Sequence, residues 1–346
     1  MPKARSEDTL FEFLTYPTVG ADDWRYTAQS AQVRVMEMQL LTRATLLDMA
    51  NAPDFAAGVG SISASDYALP QGNVRFDDVR TLLLDKRTAV REAFADWMLD
   101  ERIVTVFRSR DDFANLRLAL RRVLTDKPVG IDYSSDGNVP PEVLAQVFEE
   151  ENYVLFPPYL AEATEEAILA YYQDKQIPQI DHVIDRCEAE YKIAQAQEIG
   201  EPFLLNLFRI QIDLTNIRTV LRLKHIDAEQ RNVLLPGGFI EMDRLRQALD
   251  LGYEALGTLF FATPYHRIVD IGAGYLASDE SFLKVEQQCD EYLTGYLRST
   301  AQITAGPQPI IAYLLLKEHE IRTVRLILTA KKNLLDTKLI LDRIGA

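Results

Sequence analysis

The stretch Ile268-Val-Asp270-Ile-Gly272-Ala-Gly274-Tyr-Leu-Ala277 has the residue types of a nucleotide-handling loop. An apolar run is followed by G-x-G-x-x-A, and acidic residues, Glu291 among them, stand about 20 positions on. In a dinucleotide or S-adenosylmethionine site such glycines let backbone N–H groups approach the cofactor, and the acidic side chain holds a ribose hydroxyl. That chemistry requires the motif to join a parallel strand to a helix within an alternating β/α pattern. The flanking residues show no such alternation. The expectation is a loop following the turn at Tyr265, not a cofactor site.

The other reactive residue types assemble into no known constellation. His182, His225, His266 and His319 are scattered, and none belongs to an HExxH pair. Lys317-Glu318-His319-Glu320 sets metal-capable groups side by side, but adjacent helical positions point in different directions, so a solvated polar face is expected. Cys187 and Cys289 stand apart, without CxxC, and read as ordinary buried or half-buried thiols. There is no GxSxG and no P-loop. Acidic pairs such as Asp77/Asp78 and Asp111/Asp112 are ordinary in a chain of net charge −15. No catalytic, cofactor-binding or metal-ligating residue is assigned, no cofactor is expected, and the chain reads as a non-enzyme.

The elements behind these residues are helical. Leu83, Val90, Phe94 and Trp97 fall on one helix face, as do Phe113, Leu116, Leu120 and Leu124. Ile210, Leu214, Ile217 and Leu221 repeat the stripe, and so do Ile310, Leu314, Ile321, Val324 and Leu328. Strict two-residue alternation is nowhere sustained, and Gly and Pro number only 16 and 15 in 346 residues, too few for the many tight turns of an all-β protein. Loops are expected at Asp126–Pro141, Gln176–Gln179 and Leu235–Gly238. With 52 acidic against 37 basic residues, the chain does not suit phosphate tracking along nucleic acid. The start, MPKARSEDTLFEF, lacks a secretory h-region, and the uncharged run Ser299–Leu316 is broken by Gly306, Pro307 and Pro309, so no membrane span is expected. The chain is expected to be cytoplasmic.

A polar pattern recurs inside these helices. Asp112-Phe-Ala-Asn115-Leu-Arg117-Leu-Ala-Leu120-Arg121 and Asp213-Leu-Thr-Asn216-Ile-Arg218-Thr-Val-Leu221-Arg222 both read D-x-x-N-φ-R-x-x-L-R. Weaker copies lie at His319–Arg325, with Arg322 at the arginine position, and at Gln32–Glu37, with Arg34. The first three copies are each followed by a tyrosine close to a proline: Tyr67, Tyr159 and Tyr265. The last three are each preceded by a charged helical stretch: Thr81–Trp97, Asp181–Glu198 and Phe282–Arg298. The period is that of a repeat architecture of about three helical units. The first, 1–112, would be completed by 307–346; the second is 113–212 and the third 213–306. Arg34, Asp112, Asn115, Arg117, Asp213, Asn216, Arg218 and Arg322 are read as residues that lock helices, because a semi-buried arginine needs carboxylate or carbonyl partners. Ligand binding by the same arginines is the competing reading.

The run Gly306-Pro-Gln-Pro309-Ile-Ile-Ala312-Tyr313-Leu-Leu-Leu-Lys317-Glu318-His-Glu320-Ile-Arg322-Thr-Val-Arg325 resembles the C subunit of prokaryotic V/A-type ATPases, whose family includes the d subunit of eukaryotic vacuolar ATPases. Tyr26–Leu41, Asp213–Lys224, Leu235–Gly238 and Thr263–Tyr265 are similar to it too, in the expected order, so the likeness runs from about residue 24 to 344. Trp24-Arg25 departs from it, and the loop Asp126–Pro141 has no counterpart. The resemblance implies an all-α funnel of three similar units in pseudo-threefold arrangement. It also implies a non-catalytic socket on the cytoplasmic face of a membrane proteolipid ring, peripheral to the membrane and not inserted, that receives the tip of the central shaft. ATP chemistry would belong to other subunits of a machine that moves protons or sodium. A free-standing helical-repeat scaffold is the alternative. A methyltransferase-like enzyme using Gly272 and Gly274 is the third.

Overall fold

The computed structural model describes residues 11, 13–69, 74–125, 132–226, 233–279 and 281–345, and among them all regular structure is helical. In chain order the α-helices are α1 (Thr27–Glu37), α2 (Arg43–Asn51), α3 (Phe55–Gly60), α4 (Phe76–Trp97), α5 (Glu101–Thr125), α6 (Pro141–Glu149), α7 (Pro158–Asp174) and α8 (Ile177–Ile199). They continue with α9 (Pro202–His225), α10 (Met242–Asp250), α11 (Tyr253–Leu259), α12 (His266–Asp279), α13 (Leu283–Arg298), α14 (Pro307–Lys332) and α15 (Thr337–Ile344). The chain forms two compact units. One comprises Met1–Leu99, Val220–Ala228 and Arg246–Ala346; the other comprises Asp100–Thr219 and Glu229–Leu245.

In the first unit α14 is the organising element. It begins with Pro307 just after Gly306, where a missing N–H costs nothing. Its first half, residues 307–314, is buried on every side, whereas Arg322, Arg325 and Lys332 of its second half are exposed. It packs on α1, α2, α3 and α4 from the start of the chain. Val324, Ile327 and Leu328 are fully buried against Met49, Val59, Tyr67 and Leu83, and each such side chain contributes about 1.5–3 kcal/mol. The C-terminal helices thus complete a core begun by the N-terminal ones.

The second unit is centred on α5, which packs against α6, α7 and α8. Phe113, Leu116 and Leu120 meet Leu144, Val147, Leu160, Ile180 and Ile184 in one core. Lys175 ends α7 in the left-handed region at φ 53°, and Gly200 ends α8 at φ 78°, where glycine carries no Cβ penalty.

Two loop expectations are corrected. Ile268–Ala277 is not a loop; it lies within α12. Gly272 serves packing, since a Cβ there would stand 3.0 Å from Val285 Cγ2, whereas Gly274 faces open space. Gln176–Gln179 is not a loop either, because α8 starts at Ile177 and Pro178 sits in its first turn. A proline there opens a helix instead of breaking one. The segment Asp126–Pro141 is non-helical where described, from 132 to 140, with α6 starting at Pro141; residues 126–131 lie outside the described residues. Among the described residues no helix is long and apolar enough to cross a membrane.

Candidate functional site

Asp112 and Asn115 lie one helical turn apart in α5 and are 1% and 3% exposed, an expensive place for polar groups in a helix interior. Their cost is met by the loop that follows the helix. Asn115 Nδ2 donates to the Ser134 carbonyl and Asn115 Oδ1 accepts from the Ser134 N–H, both at 2.8 Å. Asp112 Oδ1 accepts the Val139 N–H at 2.9 Å, while Oδ2 accepts Asn138 Nδ2 at 2.7 Å and the Tyr159 hydroxyl at 2.8 Å. The carboxylate is charge-assisted and fully engaged. Burial, and then the Asp112 charge, push the Tyr159 hydroxyl far above the ordinary tyrosine range, so it stays a donor.

The same device stands in α9. Asn216 Nδ2 donates to the Leu235 carbonyl and its Oδ1 accepts the Leu235 N–H, again both at 2.8 Å. Asp213 accepts the Phe239 N–H at 2.9 Å and the Ile240 N–H at 3.1 Å. Each asparagine grips a backbone 19 residues on, and each aspartate an amide 27 residues on. A glycine lies beside each carboxylate because nothing larger fits: a Cβ would stand 2.3 Å from Asp112 Oδ1 at Gly137 and 2.0 Å from Asp213 Oδ1 at Gly238. The D-x-x-N pattern therefore fastens a loop to its own helix. The two asparagine–backbone pairs and the two glycines were not foreseeable from the motif alone, although the Gly-rich loop Leu235–Gly238 was a signal.

In α14 the pattern is inverted. Lys317 stands one turn before Glu320, and both are buried, 4% and 6% exposed, so the expectation of a solvated polar face over Lys317–Glu320 is wrong. The cluster faces α1 to α4 instead of water, since α14 is the core helix of its unit. Lys317 Nζ is 2.7 Å from Glu320 Oε1 and 3.4 Å from Asp66, and lies 4.5 Å over the Tyr67 ring. The Tyr67 hydroxyl donates to Glu320 Oε1 at 2.7 Å, and Glu320 Oε2 accepts the Leu41 N–H. Burial and the Glu320 charge push the Tyr67 hydroxyl strongly upward. Tyr67 and Tyr159, two of the tyrosines next to prolines, thus each donate to a buried carboxylate of the recurring pattern. Tyr265 is fully buried, with the Tyr292 ring 5.0 Å away.

Arg34, Arg117 and Arg121 hold neighbouring segments. Arg117 and Arg121 of α5 reach across to Asp185 and Asp181 of α8. Arg34 of α1 donates to the carbonyls of Thr300 and Ile303 at 2.7 and 2.9 Å and pairs with Glu37 at 2.7 Å. Arg322 contacts the Glu318 carbonyl at 3.4 Å on the surface. Arg218 is half-buried on α9.

Among the described residues no group of three or more His, Cys, Asp or Glu side chains is placed to hold a metal ion. A cleft of about 210 Å³ between α8 and α9 is lined by Asp185, Glu188, Lys192, Phe208 and Gln211. Its charges are internally paired, Asp185 to Arg117 and Glu188 to Lys192, which leaves no surplus positive charge for a phosphate. Cys187 is pushed up to about 11 by burial and by Glu166, away from a nucleophile's range.

Comparison with known proteins identifies the family of the chain. A family model described as ATP synthase (C/AC39) subunit matches residues 29–343. The C subunit of the V-type sodium ATPase of Enterococcus hirae is 26% identical over 308 residues, covering 87% of this chain and 92% of the relative. The C subunit of the A-type ATP synthase of Thermococcus kodakarensis is 24% identical, covering 93% and 92%. That of Pyrococcus furiosus is 23% identical, covering 92% and 90%. With nearly the whole length matched by both the family model and these relatives, the chain belongs to the ATP synthase C/AC39 subunit family of V-type and A-type ATPases.

Proposed function

We propose that this chain is the non-catalytic rotor adapter of a V/A-type ATPase, a socket that joins the membrane proteolipid ring to the central shaft. It passes torque during ATP-coupled transport of protons or sodium. The match of residues 29–343 to the family carries this reading. The clamps support it, because a torque-bearing part must resist shear where helices meet loops, and close-packed, hydrogen-bonded segments transmit strain instead of absorbing it. The proposed architecture is a funnel of three units, 1–112 with 307–346, 113–212 and 213–306. The recurrence of one clamp in α5 and α9, and the packing of α14 on α1 to α4, support that division. Arg34, Asp112, Asn115, Arg117, Asp213, Asn216, Arg218 and Arg322 are assigned to this framework rather than to a ligand.

The chain is placed on the cytoplasmic face, peripheral to the membrane, with its net charge of −15 meeting basic surfaces of its partners. Co-expression with proteolipid ring and shaft subunits tests the reading: the chain is expected to co-purify with both, and failure to co-purify with either overturns it. Retention that is indifferent to ionic strength overturns the electrostatic part alone.

A further inference from the structure

We infer that residues 13–23 form a releasable strap, latched by Tyr16 in a notch that Gly295 leaves open, and that the strap closes the junction between α13 and α14. This inference rests on the geometry of the first unit and is independent of the assigned function. The strap contains no helix of its own, and the polar contacts described below all run outward. Tyr292 and Tyr296 of α13 donate their hydroxyls to the carbonyls of Thr15 at 2.6 Å and Thr18 at 3.3 Å. The Tyr16 ring packs on both, its centroid 5.1 Å from that of Tyr292 and 6.0 Å from that of Tyr296. Its hydroxyl rests over Gly295, where a Cβ would be 2.0 Å away. Val19, 1% exposed, is buried farther along the strap.

The distal end of the strap reads the backbone of the junction. Asp22 Oδ1 accepts the N–H groups of Thr304 at 2.7 Å and Ala305 at 3.2 Å. The Asp23 N–H donates to the Ala305 carbonyl at 2.7 Å, and Gln308 Nε2 donates to the Ala21 carbonyl at 3.0 Å. The groove thus recognises an extended chain by its carbonyls, one tyrosine through a glycine-sized notch, and an acidic tip that caps two amides. A segment with no ladder or helix of its own opens at lower cost than the helices beneath it. Its departure would expose the 303–306 backbone while leaving the buried contacts of α14 with α2, α3 and α4 in place.

Native-state hydrogen exchange on the full chain tests this, with the Thr304 and Ala305 amides as reporters of the closed strap and the Val324 and Leu328 amides of α14 as the control. Gly295→Ala fills the notch and is expected to raise exchange at Thr304 and Ala305 at least tenfold, with the control amides unchanged. Tyr16→Ala removes the latch from the other side and is expected to do the same. Because both act on one contact, Tyr16→Ala combined with Gly295→Ala is expected to exceed neither alone by more than about twofold. If Gly295→Ala does not fold, Tyr16→Ala alone decides. Unchanged reporter exchange in the soluble variants overturns the latch. Equal acceleration at Val324 and Leu328 overturns a separable strap, and multiplicative effects of the two substitutions overturn the shared contact.

Discussion

Asn216 offers the sharpest test of the clamps, because one side chain makes two well-formed bonds to a single residue of the loop. It is 1% exposed, and both bonds to Leu235 are 2.8 Å long. Each neutral hydrogen bond contributes about 0.5–1.5 kcal/mol, and stranding the Leu235 N–H and carbonyl adds to the loss, so Asn216→Ala is expected to cost about 2–3 kcal/mol in urea-induced unfolding. Asn216→Asp is more informative. The introduced carboxyl keeps the acceptor for the Leu235 N–H but turns the donor into a second acceptor facing the Leu235 carbonyl. At pH 7 the variant must bury a charge against that carbonyl and is expected to be less stable than Asn216→Ala. Burial and the facing carbonyl both favour the protonated form, which raises the folded-state pKa above the unfolded value of about 3.9. The stabilising contribution is then fully present below the unfolded pKa and lost as pH rises through the folded one. The gap between the aspartate and alanine variants should therefore close, or change sign, between pH 7 and pH 4. An Asn216→Ala cost under about 0.5 kcal/mol, or a gap that does not move with pH, refutes the clamp as a source of stability.

In α14, Tyr67→Phe is expected to cost about 1.5–3 kcal/mol by loss of a bond to a charged acceptor. Lys317→Met is expected to cost about 3–5 kcal/mol because it leaves the buried Glu320 charge without its cation; thermal melting within error of the parent for both would count against the cluster. Gly238→Ala, whose Cβ collides with Asp213, is expected to destabilise by about 1–3 kcal/mol. Gly274→Ala, in open space within α12, is expected to stabilise by about 0.5–1 kcal/mol, and a loss there would revive a tight-loop role for that glycine. Cys187, half-buried and pushed up to about 11, is expected to resist iodoacetamide at pH 7.5 over hours in the folded chain, and stoichiometric labelling within minutes would contradict the raised thiol.

The helices were legible because apolar periodicity is a local signal. The stripes through Phe113, Leu116 and Leu120 and through Ile210, Leu214 and Ile217 are buried as their spacing requires. What the stripes hide is depth. Lys317–Glu320 looks like a solvated face when read alone, and only the return of α14 onto α1 to α4 makes it interior. Gly272 and Gly274 looked like a loop because glycine is a poor helix former, but tertiary contact with Val285 overrides that preference at Gly272. The recurring Asp and Asn announced that something repeats, yet their partners are backbone groups of loops, and backbone groups leave no mark on a residue pattern. The neighbouring glycines were the trace they did leave.

The inversion in α14 argues that what recurs is a requirement, not a sequence. In α5 a buried carboxylate accepts a tyrosine hydroxyl and a backbone N–H, and its neighbour one turn on is a neutral asparagine. In α14 the first position is Lys317, so the carboxylate moves one turn along to Glu320. There it again accepts a tyrosine hydroxyl and a backbone N–H, from Tyr67 and Leu41. The displaced site carries a cation, and the cation neutralises the carboxylate that replaced the asparagine. The clamped backbone differs as well: α5 and α9 grip the loop that follows them, whereas α14 grips residue 41, near the opposite end of the chain. Only residues 333–336 separate α14 from α15, too short a connection to return to Glu320, and its carboxylate fastens the Leu41 segment instead. On this reasoning, moving the charge back should be tolerated better than deleting it. Lys317→Asp combined with Glu320→Asn, which restores the order of α5, is expected to be more stable than Glu320→Asn alone, where Lys317 is left buried without its main partner. The reverse ranking in thermal melting would mean that the two arrangements are not interchangeable solutions.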